Sequence, residues 1–323
     1  MTSPLLSIVI PVKNGAPWLE KLFQAILRQT LADRSEIIVI DSGSQDETLA
    51  IVKKYPVRLL TIEPASFDHG LTRNLGAAQA NGEYVVMTVQ DALPADDRWL
   101  EKMLSGFENE TIAGVCGQQV VPHDPTMNPV QWFRPVSAAD RFIYVFPDPQ
   151  SFTSLPAATK KAICSWDNVN AIYRREALVK VPFRKVTFGE DQQWAQDALL
   201  KGYGIAYNYE ARVYHYHHED PGFSFKRTFT ELYYAYRLFG VKPAAEPGFR
   251  LMLRTVKILL KEKSVGLKQK FHWLRYNYGL NSAYRRAVRE FEASLGKGES
   301  VLDNRHSQLC GVAPQAPKPL ESI

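Results

Sequence analysis

Apolar positions in the first third of the chain change period at regular intervals. Leu5–Val12 is an apolar run of the kind that forms a strand buried on both faces. Trp18, Leu19, Leu22, Phe23, Ile26 and Leu27 then recur at helical spacing. Glu36–Asp41 (EIIVID) reads as a second strand. Asp46 opens a helical stretch through Leu49, Ile51 and Val52, and Val57–Ile62 reads as a third strand. His69–Asn81 is helical until Gly82 stops it, and Tyr84–Val89 is a fourth strand. Strand and helix in alternation predict an open α/β sheet, mostly parallel, with helices on both faces. Such sheets bind ligands outside the carboxyl ends of their strands. Here those ends carry polar or turn residues: Pro11 to Gly15 with Asn14 between, Asp41-Ser42-Gly43-Ser44, and Gln90-Asp91-Ala92.

The pattern breaks from Val120 to Ser165, where seven prolines punctuate an aromatic-rich stretch; long loops over the site are expected there. Order returns with Trp166–Leu178, a helix over Glu190–Leu200, and short strands over Ile205–Tyr209 and Ala211–His217. Beyond Phe223 the chain reads as helical. Past Gly296 it turns Gly/Pro/polar-rich, which predicts a disordered tail over 296–323.

With 323 residues the chain can bury a sizeable core, and 45% hydrophobic against 23% charged residues is the balance of a soluble globular protein. Cys116, Cys164 and Cys310 are far apart. That argues against a disulfide framework or a thiolate zinc site and fits a reducing cytoplasm. No apolar run reaches the roughly 18 residues of a membrane-spanning helix, and the N-terminal LLSIVIPV reads as a strand rather than a signal peptide. Charge is uneven: Phe223 to Glu290 holds 15 Lys and Arg against 4 Asp and Glu, although the whole chain carries only +5. That basic stretch has two readings. One is helices packed on the rest of the protein with a solvated basic face; the other is peripheral attachment of 223–290 to an anionic membrane surface. No nucleic-acid-binding module accompanies the charge, so nucleic acid is not an expected partner.

The candidate chemistry is acidic. Asp41, at a strand end before Ser42 and Gly43, could accept the N–H of a pyrimidine while the backbone approaches a ribose or phosphate. Ser44 and Glu47 have the spacing of a capping box, so a purely structural role is equally open. Asp91 is a candidate ligand for Mg²⁺ or Mn²⁺, which take hard oxygen donors and bridge phosphates, or else a strand-end turn former. Arg73 could contact phosphates or simply be an exposed helical Arg. His215, His217 and His218 cluster after a strand. Strand geometry would place His215 and His217 on one face, one as a ligand and the other behind it. Glu190-Asp191 opens a helix, where the dipole alone favours acids; the chemical reading is that Asp191 takes the proton of an attacking hydroxyl.

Four segments in register, SIVIPVKNG, IIVIDSGSQDET, GEYVVMTVQDALP and FGEDQQWAQDALLKGY, resemble glycosyltransferase family 2, whose members have the GT-A fold. FDHGLTRNLGAAQANGEYVVMTVQDALP, WDNVNAIYRREAL and ARVYHYHHE resemble its bacterial rhamnosyltransferase branch. The resemblance spans about residues 5–220. It implies an inverting transferase that uses a divalent metal, Mg²⁺ or Mn²⁺, and a nucleotide-diphosphate sugar, dTDP-L-rhamnose or a UDP-hexose or UDP-N-acetylhexosamine. The implied acceptor is a glycan or polyprenyl-diphosphate-linked glycan of bacterial surface polysaccharide, at the cytoplasmic membrane face. It places Pro11, Asn14, Asp41, Ser42, Arg73 and Gln90 around the donor, Asp91 and His215 at the metal with His217 behind or in place of it, Asp191 as base and Glu190 beside it. One departure stands out: where the family often has Asp-x-Asp, this chain has Gln90-Asp91-Ala92. From another class, a catalytically silent sugar-nucleotide-binding scaffold is the rival. The expected organisation is a catalytic domain over 1–222, its nucleotide part about 1–120 and its acceptor side about 121–222. A basic helical extension over 223–295 and the tail would follow.

Overall fold

The computed structural model describes residues 3–124, 126–132, 140–243 and 246–310. The strands are β1 (Leu6–Val12), β2 (Ser35–Asp41), β3 (Arg58–Thr61), β4 (Tyr84–Thr88), β5 (Leu93–Pro94), β6 (Ile112–Val120), β7 (Arg141–Tyr144), β8 (Asn170–Arg174) and β9 (Gly204–Tyr214). The helices of the first half are α1 (Ala16–Leu27), α2 (Thr48–Val52), α3 (His69–Gln79), α4 (Trp99–Leu104), α5 (Pro129–Trp132), α6 (Pro149–Thr153) and α7 (Ala157–Ile163). Those of the second half are α8 (Arg175–Lys180), α9 (Glu190–Leu200), α10 (Pro221–Phe239), α11 (Gly248–Lys261), α12 (Leu267–Leu295) and α13 (Glu299–Cys310).

The strands form one sheet in the order β3-β2-β1-β4-β8-β6-β9-β5, with β7 also paired to β9. β1 to β4 are mutually parallel, β8 runs against both β4 and β6, and β6 and β9 run parallel to each other. The apolar runs are buried as their patterning predicts: Leu6, Ile8, Val9 and Ile10 of β1 are all fully enclosed. Each such side chain contributes on the order of 1.5–3 kcal/mol by leaving water. α3 lies so close on β1 that a Cβ at Gly76 would come within 2.3 Å of Val9, so glycine is required there.

Strand direction collects the loops of interest at one sheet edge. The carboxyl ends of β1, β2 and β4 are neighbours in register. Because β8 is antiparallel, its first residue, Asn170, pairs with Thr88 at the end of β4, which brings the preceding loop 166–169 to the same edge. β9 ends there too, with Tyr214 opposite Val120 and Leu93.

Three expectations differ from the structure. The two short strands around 205–217 are a single strand, β9, paired along both its sides; His215 and His217 lie past its end, not on a strand face. The Val120–Ser165 stretch is not only loops: β7, α5, α6 and α7 form within it, while Pro125 and residues 133–139 lie outside the described residues. The expected tail contains α13, where Leu302 is buried with Phe229 and Phe291, and His306 stacks on Tyr233 at 4.0 Å. Two buried positions one helical turn apart suffice to fix α13 despite its polar composition; the remainder of the expected tail, 311–323, lies outside the described residues.

The chain divides into two compact units, one of Met1–Val120 and Val136–His215, the other of Val121–Pro135 and Tyr216–Ile323. The division thus falls earlier than the expected boundary near residue 222. In the second unit Val121 and Met127 pack with Leu259, Val265 and Trp273, and the amides of Asn128 and Asn277 bond each other at 3.0 and 2.9 Å. Those buried contacts are why the segment after β6 belongs with the later helices.

Candidate active site

The loops after β1, β2 and β4 are tied together by side chains that act as extra backbone. Asp41, almost fully buried, accepts from the Gly43 amide at 3.0 Å, the Ser44 amide at 3.1 Å and the Ser44 hydroxyl. Ser44 in turn accepts from the Asn14 amide at 2.8 Å, and Asn14 Oδ1 accepts from the Gln45 amide at 2.9 Å. Asn14 has φ 51°, a left-handed conformation that Asn tolerates better than most residues. Ser42 donates its amide to Val12 O at 3.0 Å. Gln90 uses both ends of its amide on Lys13, accepting from its N–H at 2.9 Å and donating to its C=O at 3.2 Å. The Ser44–Glu47 capping box does not form: Glu47 is the N-cap residue of α2 and its side chain makes no cap bond, while Asp46 accepts from the Thr48 amide at 3.0 Å. Pro11, Asn14, Asp41, Ser42 and Gln90 therefore share one neighbourhood, with Asp41 and Gln90 spending much of their bonding capacity on shaping it.

A second group forms where α9 begins. Gly189, at φ 76°, turns the chain so that Glu190 and Asp191 open the helix. Glu190 Oε1 accepts from Arg73 Nη1 at 2.8 Å and from Asn168 Nδ2 at 3.2 Å. The Arg73 and Glu190 side chains are only 6% and 8% exposed. Arg73 is thus not an exposed helical residue: its Nη1 binds Glu190 and His69 O, because α3 packs against the start of α9. Asn168 is itself held by Tyr173, whose hydroxyl donates to Asn168 Oδ1 and accepts from Trp166 Nε1 at 2.6 Å. Trp166, Tyr173 and Trp194 pack beneath in tilted and edge-to-face contacts, all buried.

Asp191 is in different surroundings. Its Oδ2 accepts a long bond from the Asn168 amide at 3.4 Å, and its Oδ1 accepts from the Gln192 amide at 2.7 Å. Burial, then the neighbouring Glu190 and Asp167 carboxylates, raise its pKa well above the usual carboxylate value. Asp167 is likewise raised, chiefly by burial, and it feels both His215 and Arg73 as opposing charges. Asp167 therefore links the acidic pair to the His215 end of the site.

At that end His215 Nε2 lies 3.6 Å from Asp91 Oδ1. His215 Nδ1 donates to Gln119 Oε1 at 2.6 Å, because a carboxamide oxygen only accepts, and this bond sets the ring with Nε2 facing Asp91. A separation of 3.6 Å exceeds a hydrogen bond and suits two ligands around one cation. Asp91, His215 and His217 form a group of candidate ligands. One carboxylate with imidazole donors fits a divalent transition ion such as Mn²⁺ better than Mg²⁺, which prefers oxygen throughout. Asp167, Asn168 and Gln119 escaped the reading of the sequence as individual site residues. The signals were Asp-Asn directly after a tryptophan, and two glutamines inside an otherwise apolar strand.

Residues 7–181 match the family described as glycosyl transferase family 2. The chain is 34% identical over 274 residues to the O-antigen chain rhamnosyltransferase WbaN of Salmonella anatum, covering 80% of this chain and 82% of that one. It is 31% identical over 270 residues to the O-antigen chain rhamnosyltransferase RfbN of Salmonella typhimurium, covering 79% and 82%. Among solved structures it resembles a mannosyltransferase of Pyrobaculum calidifontis in complex with GDP-Man and Mn²⁺, with a TM-score of 0.53, 18% identity and coverage of 95% and 81%. It also resembles residues 1–349 of TarS of S. aureus in complex with UDP, with a TM-score of 0.52, 18% identity and coverage of 89% and 91%. These structural likenesses show the GT-A fold.

Proposed function

Because the chain belongs to glycosyl transferase family 2, we propose that this glycosyltransferase moves L-rhamnose from dTDP-L-rhamnose, with inversion, to a glycan or polyprenyl-diphosphate-linked glycan of bacterial surface polysaccharide. The donor and the polysaccharide rest on the two relatives at 34% and 31% identity. The observation that carries the chemistry is Asp191: a half-buried carboxyl group whose pKa is raised by burial and by two neighbouring carboxylates. A base is most effective when its pKa approaches the working pH.

In this reading Asp191 takes the proton of the acceptor hydroxyl as that oxygen forms its bond to the anomeric carbon. The bond from that carbon to the diphosphate oxygen breaks, and the nucleoside diphosphate leaves with the electron pair. Glu190, fixed by Arg73 and Asn168, holds the start of α9 and hence Asp191 in place. Pro11, Asn14, Asp41, Ser42 and Gln90 form the cradle for the nucleotide. Arg73 acts through Glu190 rather than on the phosphates. Asp91, His215 and His217 would hold a divalent cation, Mn²⁺ ahead of Mg²⁺, whose charge offsets that of the leaving diphosphate. Reaction at the cytoplasmic face of the membrane follows from the nature of both substrates.

The test is release of nucleoside diphosphate by the purified protein, supplied in turn with dTDP-L-rhamnose, UDP-glucose and UDP-N-acetylglucosamine. Turnover of dTDP-L-rhamnose that Asp191→Asn abolishes is the expected result. Turnover only of a UDP-sugar would overturn the donor. Binding of a sugar nucleotide without turnover of any of them would favour the scaffold role.

A further inference from the structure

The second unit carries an apolar surface that its own fold leaves in solvent. In α11 the residues that face inward are Thr255 and Leu259. Phe249, Leu253 and Leu260 are 64%, 63% and 72% exposed, and Val256 is exposed too. At about 100° per residue these four fall within a band about 60° wide along one side of the helix. Arg250, Arg254, Lys257 and Lys261 form a second band, about a quarter turn away. α12 begins in the same way: Leu267, Phe271 and Tyr278 are exposed along one line, with Lys268 and Arg275 beside it. From Gly248 to Tyr278 the chain has 8 Lys and Arg against Glu262 as its one acid, and Glu262 is engaged by Ser264.

An exposed apolar stripe edged on one side by cations, on a helix anchored by a separate buried face about 110° round from the stripe, is the geometry of a helix lying in a lipid interface. It does not suit an aqueous surface, where large apolar side chains at this spacing have nothing to cover them. No helix among the described residues is long and apolar enough to cross a membrane, so the surface would lie on the bilayer rather than span it. We infer that α11 and the first three turns of α12 dock the protein on an anionic phospholipid surface, with Leu253 and Leu260 immersed and Arg254 and Lys257 at the headgroups. The positive charge of the segment selects the anionic lipid as its occupant. α10 is excluded from this role: Phe229 and Phe239 are buried in the unit's own core. The basic stretch read from the sequence as 223–290 thus narrows to 248–278. This inference goes beyond the transferase reading and does not depend on it.

The experiment is co-sedimentation of the full-length chain with phosphatidylglycerol-containing vesicles and with pure phosphatidylcholine vesicles, across a salt series. Binding to the anionic vesicles, weakening as salt rises, is expected, with little binding to the neutral ones. Leu253→Ser/Leu260→Ser should lower binding by about tenfold or more, and Arg254→Glu/Lys257→Glu by roughly fivefold for each charge removed. Both variants should keep the wild-type melting temperature and the wild-type turnover of soluble donor, because all four side chains are exposed. Equal binding to neutral vesicles, no binding to either, or undiminished binding by both variants overturns the inference. A wild-type dimer that the Leu variant converts to monomer, without vesicle binding, overturns it in favour of a second copy of the chain. Donor turnover is read separately, so failure here is distinguishable from failure of the transferase assignment.

Discussion

The two ends of the candidate site are built on opposite plans. At the start of α9, Glu190 is closed in by Arg73, Asn168 and the aromatic cluster below them. At the end of β9, Asp91 and His215 stand 3.6 Å apart, and Gln119 turns the imidazole so that its Nε2 faces the carboxylate. The first end is a rigid support for one reactive carboxyl group. The second is a pair of donors arranged about a position between them. In the proposed reaction the first end would serve to take a proton at a fixed point, and the second would receive a cation and the diphosphate.

The strongest way to break this comparison is at Asp191. Asp191→Asn should lower kcat by about 10²–10⁴-fold with donor affinity retained, measured by steady-state kinetics and donor titration. An equal loss from Glu190→Gln at the same pH would erase the distinction between the two acids. The sign of the stability effect is also set. A raised pKa means the fold prefers Asp191 protonated. That contribution is complete below the usual carboxylate pKa and is lost as pH rises through the raised value. Asp191→Asn should therefore gain stability relative to wild type at neutral pH and lose that advantage in acid, read from urea unfolding at both.

Next in size is the support. Arg73→Met leaves Glu190 buried without its cation and should cost about 3–5 kcal/mol in urea unfolding. Arg73→Met/Glu190→Leu should recover much of it, because the charge left behind is what costs most. At the open end, Gln119→Leu removes the partner that orients His215 without touching a ligand. Metal affinity should fall about 10–100-fold by Mn²⁺ titration, with little change in melting temperature in the absence of metal. The smallest effect is a displacement. Activity should fall as pH drops through the raised pKa of Asp191. Glu190→Gln removes a like charge that raises it, so the acid limb of kcat should move to lower pH.

Periodicity carried the first four strands and their helices well. β1 to β4, α1, α3 and α9 stand close to where their apolar patterns put them, because a buried strand or an amphipathic helix writes its environment into its own residues. The Val120–Ser165 stretch was legible only as irregular, since elements such as β7 depend on pairing with β9, a strand about 60 residues away. α13 was misread because its two anchoring positions, Leu302 and His306, find their partners on α10 and α12.

The site divides in the same way. Sequence determined that Asp41 and Glu190-Asp191 end or begin elements and that Asp91 follows a strand, and so that their carboxylates stand at the rim of a sheet rather than in its middle. It could not say that Arg73 belongs to Glu190, 117 positions later, or that Asp167 sits close enough to raise the pKa of Asp191. The first required α3 to pack against α9, and the second the antiparallel return of β8, which carries the loop 166–169 to the end of β4. A residue's periodic neighbours are set by the local chain geometry. Its charge neighbours are set by how strands cross over, and electrostatics follows distance in space, whatever the distance along the chain.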